Sequence, residues 1–264
     1  MKKLRKTIEL YAWYARIRLQ RNMAYRADFI IGLVITVLNA AGGPVFQFVL
    51  FTNTKGYPGW NLTQVILFQG MALIFAGIRG MLFGNVFANV TTMSWRGDFD
   101  RLLILPHKPI KLLLSSGFDL GSIGILLTGL CLTVGAGIKL NVTVNALDIL
   151  LVLAGIFCGL LLYMAFLIFY CTLLIMVTRN DRIEEIINAL FSFSGYPLEI
   201  FPRVMSVVLS TVLPFMVIAY FPSQVLLGRA TASIVPGMLA CFALFGLSLW
   251  LWNLKLKRYT SVGG

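Results

Sequence analysis

Six stretches of this chain stay apolar for roughly 18 residues or more, the length a helix needs to cross the hydrocarbon core of a bilayer. They cover 29–51, 63–90, 112–137, 147–177, 184–201 and 234–254. The second and fourth are long enough to tilt or to project beyond the core. A chain of 264 residues that is 59% hydrophobic and 12% charged, with mean hydropathy +0.87, lies outside the range of soluble domains. Because the runs are continuous rather than alternating, a membrane β-barrel is excluded. The expected fold is therefore an all-α integral membrane protein with six transmembrane helices, forming a single domain over residues 1–264.

Net charge is +12, which in a soluble protein would suggest nucleic acid. Here the basic residues gather beside the apolar runs instead of on one polar face, so no nucleic-acid partner is expected. Seventeen of the 22 Lys and Arg fall in the amino-terminal stretch, around 96–111, at Arg179 and Arg182, and at Lys255, Lys257 and Arg258. The remaining loops carry only Lys55, Lys139, Arg203 and Arg229. Short loops rich in Lys and Arg stay on the cytoplasmic side. Both termini, the loop near residue 100 and the loop around Asp181 are thereby assigned to the cytoplasm, and six crossings satisfy this.

Residues 1–27 place Leu4, Ile8, Tyr11, Ala15 and Leu19 on one helical face among basic residues, the pattern of an interfacial helix lying on membrane lipids. A charged island occupies the 92–109 loop. Trp95, Phe99, Leu102 and Leu103 share one face at helical spacing, whereas Arg96, Asp98, Asp100 and Arg101 lie elsewhere, with Arg96 and Asp100 four apart. Proline ends this short amphipathic helix. Such a helix either docks into a groove of a soluble cytoplasmic protein or rests on the lipid surface.

Two charges fall inside apolar runs, Arg79 in the second and Asp119 in the third. Isolated charges at depth are costly, so an intramembrane Arg79–Asp119 ion pair is expected, with a substrate or proton site as the sharper alternative. Glycines recur at close-packing spacing in Gly80/Gly84, Gly117/Gly121 and Gly155/Gly159, consistent with a tight bundle. The stretch from 184 to 230 is punctuated by Gly195, Tyr196, Pro197, Pro202, Pro214 and Pro222. If both of its apolar halves crossed, the basic carboxyl end would lie outside. One short span followed by a re-entrant segment over 203–230 on the external side resolves the conflict; a helix lying on the outer surface would do so too.

No nucleophile elbow, zinc-binding H-E-x-x-H or phosphate loop is present. With one histidine and no Cys or His pair at ligand spacing, neither a catalytic centre nor a metal or other cofactor site is expected. The four cysteines all lie within apolar runs and suggest no disulfide framework.

Arg96-Gly97-Asp98-Phe99-Asp100-Arg101-Leu102-Leu103-Ile104-Leu105-Pro106 after the second run, Gly195-Tyr196-Pro197 with Phe201-Pro202, the stretch from Pro214 to Pro222, and the closing Lys257-Arg258-Tyr259-Thr260-Ser261-Val262-Gly263-Gly264 together resemble bacterial ABC exporter permeases of the second type. More narrowly they resemble a subfamily of six-span permeases of about 260 residues. The resemblance implies a permease half in the inner membrane with a separate cytoplasmic ABC ATPase dimer that carries ATP and Mg, and a second permease half, a related permease being favoured over a second copy. It also implies that 95–106 is a coupling helix contacting the ATPase and that 203–230 closes the path outward. Two rival classes remain: an ion-gradient-driven carrier and a non-transporting scaffold or immunity protein. The carrier would favour midplane acids and inverted repeats; only Asp119 and Asp148 are available, and no repeat is visible.

Overall fold

The computed structural model describes residues 2–96, 99–176, 182–230 and 234–258, and within them the side chains of all but 2–8, 94–96 and 175–176. Every regular element among the described residues is helical. An amino-terminal helix, α1 (Lys2–Ala24), turns into α2 (Arg26–Asn53); α3 (Leu62–Phe83) continues after a short break as α4 (Val86–Arg96); α5 (Phe99–Leu103) and α6 (Pro109–Ser115) are short. Next come α7 (Ile123–Lys139), α8 (Ala146–Met176), α9 (Arg182–Ser192), α10 (Arg203–Val207), α11 (Tyr220–Leu226) and α12 (Ile234–Leu256).

Among the described residues, five helical stretches are long and apolar enough to cross a membrane: Arg26–Asn53, Leu62–Met93, Leu120–Lys139, Ala146–Leu174 and Ile234–Leu256. They coincide with five of the six expected spans. The stretch 184–201 differs. It forms the 11-residue α9 and then two 3-10 turns, Phe193–Gly195 and Leu198–Ile200, because Pro197 has no N–H to continue a helical ladder. Irregular as it is, this stretch runs the length of the bundle. Phe191 packs beside Tyr163 in α8, and Glu199 reaches Trp60 at the start of α3.

The third expected span is also shorter than the apolar run suggests, since α6 ends at Ser115 and α7 begins only at Ile123. Between them, residues 116–119 leave helical geometry and pair with the end of α3. Asn85 N–H donates to Gly117 O, the Asn85 amide to Phe118 O, the Asn89 amide to Ser116 O, and Asp119 N–H to Met81 O. Hydropathy does not register such a break because the residues flanking it remain apolar.

Helices α3 and α7 pack backbone to backbone, and three glycines, Gly70, Gly77 and Gly129, make it possible. A Cβ at Gly129 would stand 2.6 Å from Ile74 N and 2.8 Å from Gly70 O; one at Gly77 would stand 2.6 Å from Leu126 Cα. Close backbone approach lets dispersion contacts run the length of both helices, the main attraction available where lipid tails are as apolar as leucine. Gly70, Gly77 and Gly129 carry these contacts, and members of the four-residue pairs picked out above add others: Gly80 faces Ser122, Gly117 faces Phe83 and Gly159 faces Phe75. At the other end of α3, the Tyr11 hydroxyl donates to Leu82 O at 3.0 Å and its ring meets Phe118 edge-on, tying α1 to the bundle. Burial raises the Tyr11 phenol above its ordinary range, so it remains a neutral donor at physiological pH.

Replacing Gly129 by Ala forces backbone apart at the α3–α7 contact. We expect a loss of about 1–3 kcal/mol, read as a lower thermal midpoint of the detergent-solubilised protein, and no loss from Gly135→Ala, which has open space around it.

Candidate functional site

The charged island, the half-buried charge on α3 and the segment after α9 are three places where polar chemistry meets the apolar bundle.

At the island, Asp98 lies outside the described residues, as do the side chains of Trp95 and Arg96 at the end of α4. The expected partner-facing set is redistributed. Phe99 turns inward, its ring 6.3 Å from that of Trp252 on α12, and Leu102 is 7% exposed. Both are therefore packing residues of this chain, not free anchors. What the island offers outward is Leu103, Ile104 and Leu105, at 41%, 83% and 46% exposure, followed by Pro106 and Lys108 and preceded by the exposed Arg101. Asp100 is half-buried. Ile104 and Leu105 follow the last helical turn, so helical periodicity does not select them, although a run of three exposed apolar residues is a sequence signal in its own right.

The expected Arg79–Asp119 ion pair does not form. Asp119 caps the 3-10 turn Leu120–Ser122, accepting from Gly121 N–H at 3.2 Å and from the Ser122 hydroxyl at 3.3 Å. The break at 116–119 gives its carboxylate local donors, so it needs no distant cation. Arg79 faces the other way. Gly77 and Gly80 are the residues of α3 turned toward α7 and Ser122, and Arg79 instead lies over the ring of Tyr163 on α8, 4.8 Å from its centroid, and 6.0 Å from that of Phe191 on α9. Aromatic faces carry negative charge density and hold a guanidinium without supplying a counter-ion.

After α9 the chain folds back on itself. Glu199 accepts from Trp60 Nε1 at 2.9 Å and from the Tyr220 hydroxyl at 2.7 Å, while Arg229 reaches Gly59 O at 3.4 Å. Both ends of the 203–230 segment are thus fixed beside the start of α3. Its middle lies deeper. α10 runs into a π-helical turn, Val208–Val212, closed by Leu213 N–H to Val208 O. Pro214, at φ −74° and ψ 56°, then makes a three-residue turn with Phe215 N–H donating to Leu213 O at 2.6 Å. From Phe215 to Ala219 every residue is buried. Phe215 sits 5.0 Å from Phe191 and 5.7 Å from Phe166, ring centre to ring centre. Gly237 on α12 makes room for Ser210 O, which a Cβ there would meet at 2.6 Å.

Among the proline and glycine positions singled out in the sequence, Pro214 forms the tip of this hairpin and Pro222 packs against Gly155. Pro202 precedes α10, Pro197 ends the α9 stretch, and the Gly195 carbonyl accepts from the Gln69 amide. Tyr196 is exposed and enters no ring pair among the described residues. Trp60, Glu199 and Tyr220 come together although Glu199 lies 139 residues from Trp60 and 21 from Tyr220, and no local pattern announces them.

A family model described as "ABC-2 family transporter protein" matches residues 37–263. No curated protein and no solved structure matches the chain.

Glu199→Ala removes one acceptor shared by two donors on different elements. Faster amide exchange over 203–226, with that over α3 and α7 unchanged, is the expected result by hydrogen-exchange mass spectrometry; uniform protection would show that the bonds do not hold the hairpin.

Proposed function

The chain belongs to the ABC-2 transporter family, a family of multi-pass membrane transport components, and from that membership we propose that it is one permease half of an ATP-driven exporter in the bacterial inner membrane. A second permease half completes the path, and a pair of cytoplasmic ABC ATPase subunits binds and hydrolyses ATP with Mg. This chain supplies no catalytic group.

The observation that carries the coupling role is the exposed run Leu103, Ile104 and Leu105 on a loop flanked by Arg101 and Lys108. Apolar side chains exposed among basic ones favour docking into a groove with an acidic rim. The Lys and Arg distribution assigns this loop, and both termini, to the cytoplasm, where an ATPase would meet it. Phe99 and Leu102 join the loop to α12 and to the bundle, so that a push on the loop moves the helices behind it. The 203–230 segment re-enters from the external side and closes the path outward, and 1–27 lies along the inner surface. Closure of the two ATPase subunits would bias the permease pair between inward-open and outward-open arrangements through these rigid contacts.

Co-purification from native membranes in mild detergent, followed by mass spectrometry, tests the reading. A stoichiometric ATPase is expected, and one permease species or two identifies the pairing. A preparation that retains other membrane complexes but brings down no ATPase overturns it. Within the same assay Ile104→Asp should remove the ATPase while the permease still inserts and purifies. Phe99→Ala should instead destabilise the permease, read as a lower thermal midpoint, by about 3–5 kcal/mol if the ring is as enclosed as an ordinary core Phe and by less in proportion to its partial exposure.

A further inference from the structure

Arg79 is a permanent cation with five N–H donors, and it stands in a span. Among the described residues no carboxylate lies within ion-pair distance of it and no acceptor takes its N–H groups; two aromatic faces are its neighbours. Tyr163, whose ring the guanidinium covers, is 4% exposed, and its hydroxyl has no hydrogen-bond partner among the described residues. Glu184 on α9 acts on Tyr163 electrostatically, yet among the described residues it forms no ion pair with Arg79; a guanidinium without an acceptor is unfavourable in hydrocarbon. An anionic oxygen group within reach of the guanidinium would supply that acceptor.

Depth and surroundings narrow the ligand. Tyr11 of the amino-terminal helix bonds to Leu82 O, and Arg79 lies three residues earlier on α3, about 4.5 Å farther into the bilayer at the helical rise. An inner-leaflet headgroup can reach that level. The neighbouring walls are aromatic: Phe83 and Phe87 flank Tyr163, and Phe191 leads on to Phe166 and Phe215. A bare ion would leave those walls without a partner, whereas an amphipathic molecule would use both.

We propose that Arg79 and Tyr163 form a binding site for the phosphate or carboxylate head of an amphipathic anion, with the molecule's apolar body against the Phe191 side of the bundle. The site deepens the transport reading and rests on it for its purpose: it is where an anionic amphiphile would be taken from the inner leaflet. The shared chemistry fits a resident bilayer lipid and a transported amphiphile alike, and the two are separable.

The purified chain in neutral maltoside detergent is titrated with phosphatidylglycerol, phosphatidylcholine, dodecyl phosphate and inorganic phosphate, and adducts are counted by native mass spectrometry. One phosphatidylglycerol per chain is expected, with phosphatidylcholine and inorganic phosphate binding far more weakly. Arg79→Gln should weaken the anionic adduct at least about tenfold, as loss of a charge-assisted contact does. Dodecyl phosphate binding as well as phosphatidylglycerol identifies a general amphiphile site; phosphatidylglycerol alone identifies a lipid site. If Arg79→Gln does not purify as one species, Tyr163→Phe carries the comparison, since it keeps the ring and removes only the hydroxyl, and several-fold weaker binding is expected. Equal anionic binding by the wild type and whichever variant is compared, no preference for anionic over zwitterionic lipid, or tight binding of inorganic phosphate overturns the proposal. Because no ATPase is present, a failure here is distinct from a failure of the exporter reading.

Discussion

A peptide group in hydrocarbon has no water to bond, and every irregular feature of this molecule is shaped by that constraint. A helix satisfies its own backbone, so the five long helices need no special provision. The departures from helix do, and each has a specific donor or acceptor. The break before α7 is met by Asn85 and Asn89, placed one turn apart on α4 and its approach so that both amides reach the same non-helical segment. The end of α9 is met by Gln69, which donates to Gly195 O. The turn into α10 is met by the Ser206 hydroxyl, which lies between the carbonyls of Leu198 and Phe201. At the hairpin tip, proline removes a donor and the three-residue turn satisfies its neighbour. The few polar side chains inside the apolar runs are spent largely on backbone.

That use of polar residues explains which parts of the fold are legible in the sequence. Apolar length reveals the long helices, because it acts on whole segments. The hairpin is legible at Pro214 and Pro222, since proline limits the backbone wherever it stands. The roles of Asp119 and Arg79 are not legible. Opposite charges at similar depth on adjacent runs suggest attraction, but Asp119 has local donors from a helix break that hydropathy cannot detect. The side of α3 on which Arg79 lies follows from Gly77 and Gly80 facing α7, and that becomes readable only once the glycine contacts are known. Phe99 is a similar case. Its spacing marks an apolar face, but its partner, Trp252, lies more than 150 residues away, and only the tertiary fold distinguishes a face turned inward from one turned outward.

The aromatic side chains link the two ends of the molecule. From the hairpin tip, Phe215 meets Phe191, Phe191 meets Tyr163, and Tyr163 lies under Arg79. Tyr163 also meets Phe87 on α4, the helix that leads into the island. Rings in edge-to-face contact slide less readily than aliphatic chains, because the favourable geometry is confined to a narrow range of separation and angle. A displacement of α4 would therefore move Phe87 against Tyr163, and Tyr163 against Phe191, before it reached the hairpin. The contacts are those of one arrangement; for the column to transmit work, a second arrangement must repack them at comparable free energy.

Such a second packing has an evident point of release. Phe215 to Ala219 are enclosed on every side, so the hairpin cannot move by sliding through the bundle. It can pivot about its two ends, where Glu199 bridges Trp60 and Tyr220 and where Arg229 meets Gly59. These bonds are exposed or partly so, and exposed hydrogen bonds exchange with water at little net cost. The π-helical turn at Val208–Val212 lies between the pivot and the tip, where an extra residue per turn can be absorbed by the adjoining α-helical turn. The rigid part of the hairpin is thus its buried tip and the adaptable part its stem, the order required if the tip is to leave the aromatic column as a unit when the helices beneath it separate.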